Sequence, residues 1–336
     1  MLITRRRFGG LALAAGATAL SCPRVATAKG KISLRMGSAF QPGHPSSVYT
    51  LKAIEEIAKE TNGDVEILFF PASQLGTDPD MMTQVRGGAL DMMTQSGVIM
   101  QVVAQNTAIS AVPFVFENYA NLWAALDGEL GAYIRTQIAG VGLYPFKNVW
   151  DSGFRHMTSN DSPITSPADL HGKKFRVPPS PLWTTMFSAL GASPTTVQLP
   201  ELYSALQTGL VDGQENPISQ LYAQRLYEVQ KYCSLTQHVW DGTWMFVSQP
   251  VWDSLPQDVR LVMEARFNEN AFLQRQDLED KNAGLVKKME EAGMVFSTPD
   301  KEPFRKALID AGFYRQAKEK FAPQAWESLE KYAGSL

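Results

Sequence analysis

From Pro256 to Ala292 the chain reads PQDVRLVMEARFNENAFLQRQDLEDKNAGLVKKMEEA, a helical pattern with no proline in its interior. At about 1.5 Å per residue such a helix would run roughly 55 Å, longer than a single small lobe. It must either break near Asn282-Ala283-Gly284 or lie along two lobes as a shared spine. The spine is the expectation, because one glycine costs about 1 kcal/mol in a helix interior and nothing else interrupts the run.

The remaining sequence supplies the parts of two α/β lobes. KISLRMGS (31–38) alternates Ile32, Leu34 and Met36 on one face, as a half-buried strand does. In SSVYTLKAIEEIAKETNG, Val48, Leu51, Ile54 and Ile57 recur every three residues, predicting a helix with that face inward and Gly63 at its left-handed end. DVEILFFP follows as a strand, and strand, helix, strand with short turns begins a mainly parallel sheet. Residues 79–88 predict a short helix, 90–97 a strand end and loop, 117–140 helices, and 141–150 a strand. That strand leads into GFRHMTSN, where the chain first passes between lobes. Beyond it, SPADLHG carries Ser166 as N-cap with Pro167 in the first turn. KKFRVP is a strand, PLWTTMFSALG and LPELYSALQTG are helices, and 229–249 holds two short extended pieces that carry the chain back. The expected lobes are 29–152 with about 246–283, and 153–245 with about 284–336.

The first thirty residues have a different logic. Arg5, Arg6 and Arg7 precede an uncharged run from Phe8 to Pro23, too short for a permanent anchor, and Ala26-Thr27-Ala28 fits a small-residue cleavage site. Residues 1–28 are therefore expected to be removed. The paired arginines after Thr4, with Phe8 beyond them, resemble the twin-arginine export signal, which implies export of a folded protein to the periplasm. Lipidation at Cys22 is a weaker alternative, since Ala19-Leu20-Ser21 lacks the usual leucine three positions upstream. Four of the 31 basic residues lie in this leader, so the mature chain carries a net charge of about −7. With no basic stripe, a nucleic-acid partner is not expected. Cys233 is the remaining cysteine, so no internal disulfide is expected. No second long apolar run occurs, and the mature protein is read as a monomer that is not embedded in a membrane.

Catalytic patterns are missing. His44, His156, His171 and His238 are dispersed without metal-ligand spacing, and there is no HExxH, paired CxxC, GxSxG or Walker-type loop. Gly87-Gly88 and Gly140-Val141-Gly142 do not build a dinucleotide loop. Neither an enzyme nor a bound cofactor or metal is expected. What fits is an α/β, two-lobed, periplasmic-binding-protein-like fold in which a cleft closes around a small ligand.

Several segments together resemble the solute-binding proteins of tripartite ATP-independent periplasmic (TRAP) transporters, the DctP family. They are FFPASQLG (69–76), GALDMM (88–93), GFRHMTSN (153–160), SPADLHGKKFRVPPS (166–180), ALGASPT (189–195) and LYSALQTGLVDGQENP (202–217), with YEVQKY and WDSLPQDVR extending the likeness. The resemblance implies a receptor that captures an organic acid and delivers it to small and large membrane permease subunits driven by an ion gradient.

It also implies roles for particular residues. Arg176 matches the family arginine that grips a ligand carboxylate; a guanidinium forms two parallel charge-assisted bonds that lysine cannot reproduce, and a strand fixes its direction. The alternative is a surface arginine at a sheet edge. Arg155 matches a second arginine near the same carboxylate, or else forms a structural salt bridge. Asn216 matches an asparagine that lends its amide, or else forms the turn before Pro217. Glu215 must point away from a bound anion or be paired with an arginine.

Departures from the family bear on the ligand. Gln95 and Ser96 stand where sialic-acid binders of the family hold an acidic residue, and Leu199 stands at a position that is aromatic in them, which argues against a long polyhydroxyl sugar acid. Trp183 and Phe187, and Trp240 and Trp244, are each four apart, as core packing or as a cleft wall. If they form a wall, the ligand is a carboxylate with an apolar or aromatic portion, with 2-keto and 2-hydroxy acids among the candidates. A sugar acid, a C4-dicarboxylate, or service to a periplasmic sensor are the alternatives. Phe40 and His44 follow the first strand, where a cleft opens beyond its carboxyl end.

Overall fold

Strand β1 (Ile32–Gly37) sends Leu34 and Met36 into the core, as its alternation predicts. The computed structural model describes residues 31–334 and 336, so the leader and Cys22 lie outside the described residues. β1 pairs in parallel with β2 (Val65–Phe70) and β3 (Met92–Ser96). β4 (Leu143–Pro145) is brief, and the strand expected over 141–150 resumes as β5 (Trp150–Ser159). β6 (Lys174–Val177), β7 (Ser193–Thr196), β8 (Gly213–Pro217), β9 (Tyr232–Ser248) and β10 (Val295–Ser297) complete a ten-stranded sheet. Its order is β2-β1-β3-β9-β5-β8-β6-β7, with β4 and β10 also on β9.

β5 and β9 hold the two ends of this sheet together. β9 pairs antiparallel with β3 and β4 through its later residues and with β5 through its earlier ones. The pairing slips between Asp151 and Gly153 and again between Arg155 and Met157, and such bulges bend a strand and re-aim its side chains. The expectation of two short extended pieces over 229–249 is corrected here: the segment is one strand of 17 residues. Gly242 permits it, because a Cβ there would lie 2.2 Å from the Trp240 ring and 2.8 Å from the Trp150 carbonyl.

The helix Pro45–Glu60 corrects a second expectation. Its buried residues are Ser46, Ser47, Thr50, Ala53 and Ile57, while Val48 and Leu51 are 48% and 42% exposed. A repeat of three turns through about 300°, so the apolar series slips about 60° per step off any fixed face. The inward face is instead built of small side chains, which let this helix lie close against the long helix Gln257–Glu291.

That long helix runs 35 residues without a break, Gly284 included. At its middle, Gln274 accepts from the Asp151 backbone N–H at 2.9 Å and donates to the Asp151 carbonyl at 2.8 Å. Arg275 next to it donates to both Asp127 oxygens, at 2.8 and 3.0 Å, and to the Val149 carbonyl. The spine is thus fastened where β5 begins. No helix among the described residues is long and apolar enough to cross a membrane.

Candidate ligand-binding site

β6 alternates in and out. Phe175 and Val177 enter the core, so Arg176 projects from the opposite face, into a cavity of about 620 Å³ including its mouth. The cavity is lined from β3, β5, β6, β8 and β9 and from the loop after β1. Arg176 is 2% exposed and donates from Nε to the Val197 carbonyl at 2.9 Å. Among the described residues no acceptor meets its Nη1 or Nη2. Burial draws its pKa down to about 10, with Glu215 and Asp78 opposing and Arg155 assisting, so it stays charged at neutral pH.

Arg155 lines the same cavity in a different state. Its Nε donates to Glu215 Oε2, and its Nη2 donates to Glu215 Oε1 at 2.8 Å, to the Glu215 carbonyl at 2.9 Å and to Asn216 Oδ1 at 3.0 Å. Nη1 donates to Asp241 Oδ2 at 3.2 Å. The Trp183 ring lies 4.6 Å from the guanidinium. Burial alone would raise Glu215, but Arg155 and His238 outweigh it and hold the carboxyl below its ordinary range. The salt-bridge alternative for Arg155 is therefore formed, and Glu215 is paired with an arginine.

Asn216 hands its amide along β8: Nδ2 donates to Gln214 Oε1 at 2.5 Å while Oδ1 accepts from Arg155. Ser96 Oγ donates to Asp241 Oδ1 at 2.6 Å, and Gln95 Oε1 accepts from the Ser96 backbone N–H. Burial raises Asp241 to about 6, against the pull of Arg155 and Ser96. Gln95 Nε2, Ser152 Oγ, Thr243 Oγ1 and both amide atoms of Gln220 are buried in lining residues without a hydrogen-bond partner.

Of the residues singled out in the sequence, Arg176, Arg155, Asn216, Gln95, Ser96 and Phe40 line the cavity. Trp183, Phe187, Trp240, Trp244 and His44 do not. The four aromatics are core residues: Trp183 Nε1 donates to the Ala111 carbonyl, Phe187 packs on Phe175, and Trp240 Nε1 donates to Asp151 Oδ1. Trp244 is buried beside β3, paired with Gln95 in the sheet. An aromatic wall is not part of this cavity. His44 instead caps its helix, accepting from the Ser46 N–H, and lies 3.2 Å from Ser219 Oγ; burial lowers it to about 3 and its ring stacks 4.2 Å from Phe40.

Sequence reading missed Asp78, Ser152, Gln220, Asp241 and Thr243 in the lining. Asp241 sits between the two tryptophans of HVWDGTW, and Asp78 closely follows the PASQLG string, so each adjoined a segment already noticed. Among the described residues no cluster of His, Cys, Asp or Glu could hold a metal ion.

Residues 36–318 match the family described as DctP, bacterial extracellular solute-binding protein, family 7. The chain belongs to this family. Among its relatives, an uncharacterised protein of Sinorhizobium fredii, y4mM, is 37% identical over 91% of this chain, which spans 56% of that relative's length. The C4-dicarboxylate-binding periplasmic protein DctP of Rhodobacter capsulatus is 32% identical, over 87% of each chain. A TRAP periplasmic solute-binding protein from Sulfitobacter sp. NAS-14.1, solved with bound β-D-galacturonate, superposes with a TM-score of 0.85 at 26% identity, covering 90% of this chain and 100% of that one. Membership makes the protein a solute-binding protein of TRAP type rather than an enzyme, with the two-lobed α/β fold of the family.

Proposed function

We propose that this protein binds a small hydroxylated organic acid through its carboxylate and delivers it to the small and large membrane subunits of a TRAP permease. The observation that carries this reading is the contrast between the two cavity arginines. Arg155 is already bonded to Glu215, Asn216 and Asp241, whereas the Nη pair of Arg176 faces the cavity unmet. A planar pair of donors held on a strand fits a carboxylate in two parallel bonds. The second Nδ2 hydrogen of Asn216 is available beside it.

The character of the ligand's body follows from the other lining groups. Buried polar atoms are rarely left unpaired, so the amides of Gln95 and Gln220 and the hydroxyls of Ser152 and Thr243 favour a ligand that carries hydroxyls. Phe40, Val98, Ile99 and Leu199 offer an apolar flank for its C–H face. With Trp183, Phe187, Trp240 and Trp244 outside the lining, the aromatic-bodied acid loses its support. The names of the relatives, one a C4-dicarboxylate binder and one holding a sugar acid, agree in the carboxylate.

In this reading the leader, residues 1–28, is removed after twin-arginine export to the periplasm, and the mature receptor works as a monomer. Lobes near the expected boundaries close over the acid by bending at β5 and β9, and the closed form engages the permease because ligand shifts its population. The test is a thermal-shift screen of the mature protein against mono-, di-, keto-, hydroxy-, aromatic and sugar acids. A hydroxylated carboxylate should raise the unfolding temperature most; no shift with any acid would overturn the proposal.

A further inference from the structure

We infer that Gln101 is a latch across the cleft: its side chain joins the helix that follows Arg176 to the opposite side of the cavity, and it tightens the hold on an acid that it does not touch. This rests on the receptor reading and on closure by hinge bending. Gln101 ends the short helix Gly97–Met100, which continues from β3, while Ser180 and Leu182 lie at the start of the helix Pro181–Ala189, which follows β6. In the sheet, β3 and β6 are separated by β9, β5 and β8. A bond from Gln101 to Ser180 therefore spans the cleft directly rather than through the strands.

Two bonds make that span. Gln101 Nε2 donates to Ser180 Oγ at 2.9 Å, and Gln101 Oε1 accepts from the Leu182 N–H at 3.2 Å. Nε2 also donates to the Val98 carbonyl in its own helix, which fixes how the amide points. The start of the second helix has need of this partner. Pro181 carries no N–H, the Trp183 N–H is met by Ser180 Oγ at 3.1 Å, and the Thr184 N–H is met by the Ser180 carbonyl at 2.9 Å. The Leu182 N–H is the one donor of this turn that is answered from across the cleft, by Gln101.

The latch lies against the ligand cavity without being part of its lining. Val98 and Ile99, just before Gln101, and Pro178 and Pro179, just before Ser180, all line the cavity, whereas Gln101, Ser180 and Leu182 do not. Two other side-chain bonds cross as well, His44 to Ser219 at 3.2 Å and Gln41 to Gln224 at 3.3 Å, but they join the loop after β1 to the segment after β8, and neither completes a helix start. When the lobes part, water can meet both the half-buried Gln101 amide and the Leu182 N–H, so these bonds weigh little on folding. They count toward the closed form, and a bond made only there raises affinity by shifting the population.

The test compares the mature wild type with Gln101→Ala and Gln101→Leu, the second of which keeps bulk and removes both bonds. Succinate, D-galactonate, D-galacturonate and whichever acid of the screen raises the unfolding temperature most are titrated calorimetrically at pH 7.5. Each probe that binds wild type should lose about five- to thirtyfold in affinity in both variants, while the ligand-free unfolding transition is unchanged. Hydrogen exchange gives the readout that a merely structural role would not move: a bound probe should slow exchange of the Leu182 amide in wild type and leave it fast in the variants, with the β6 amides protected alike in all three. Affinities within threefold of wild type in both folded variants, or a Leu182 amide that the probe still protects in them, overturn the latch and leave the receptor reading standing. Failure of every acid in the screen to bind wild type overturns both.

Discussion

Glu215 accepts hydrogen bonds from Arg155 at Nε and Nη2, and both side chains are buried. Arg155 lines the cavity with Glu215 behind it, which leaves, among the described residues of the lining, one uncommitted guanidinium fork, that of Arg176. A site with two free arginines would draw any polyanion; on the proposed reading this one suits a single carboxylate, because the second positive charge is already answered within the sheet.

Breaking that pair should cost stability before it costs binding. Glu215→Gln leaves Arg155 buried with Asp241 as its remaining ion-pair partner, and removal of one member of a buried pair costs about 3–5 kcal/mol. Because the folded pKa of Glu215 is depressed, its contribution is present above the unfolded value of about 4.3 and is lost as pH falls through the folded value. Urea unfolding of wild type and variant should show the full difference at pH 7 and a shrinking one below about pH 4. A difference that does not vary with pH would contradict the pairing.

Asp151 carries the opposite sign. Its Oδ1 accepts from Gly153 N–H and Trp240 Nε1–H, its Oδ2 is buried without a hydrogen-bond partner, and burial raises it to about 7 against Trp240, Tyr119, Gly153 and Arg275. A raised folded pKa gives stability that is present below about pH 4 and lost as pH climbs through 7. Asp151→Asn should therefore stabilise the protein relative to wild type at pH 8, by something on the order of 3 kcal/mol, and by almost nothing at pH 4. The difference between the two proteins isolates this group from the buried His44 and His156, whose lowered values act in the other direction.

Trp183 should behave as a core residue. It is fully buried, bonded to the Ala111 carbonyl at 3.0 Å and stacked under Arg155. Trp183→Ala should cost about 3–5 kcal/mol in urea unfolding. The ratio of affinities for an aromatic 2-oxo acid and a hexuronic acid should stay within threefold of wild type. A selective loss of the aromatic acid would restore the aromatic wall.

These cases mark what could be read in the sequence. Arg176, Asn216 and Gln95 each sit in a short distinctive string that the resemblance to the family singled out, so their place at the cavity was legible. Trp183 and Phe187 were not resolved, because a spacing of four puts two rings on one helix face without saying whether that face meets core or cleft. The long helix was legible from its length alone. β9 was not, since Gly242 and the register slips that keep it continuous act only against β5. Asp78 and Gln220 were missed because a lone acid after a turn and a lone amide in a short helix acquire meaning only from the strands they face.

Closure should appear as compaction. The register slips in β5 lie beside the cavity, and bending there changes the spacing of the lobes without altering secondary structure. Small-angle scattering of the mature protein should give a smaller radius of gyration with saturating ligand, while far-ultraviolet circular dichroism stays constant. An unchanged radius with tight binding would contradict hinge closure.

If the Arg176 fork holds the ligand's carboxylate, calorimetry of Arg176→Lys with the tightest acid from the screen will show its loss. Lysine keeps the charge and removes the two parallel donors, so affinity should fall by about 1.5–3 kcal/mol, roughly tenfold to more than a hundredfold, while the unfolding transition remains cooperative. An affinity within threefold of wild type in a folded variant would contradict the account.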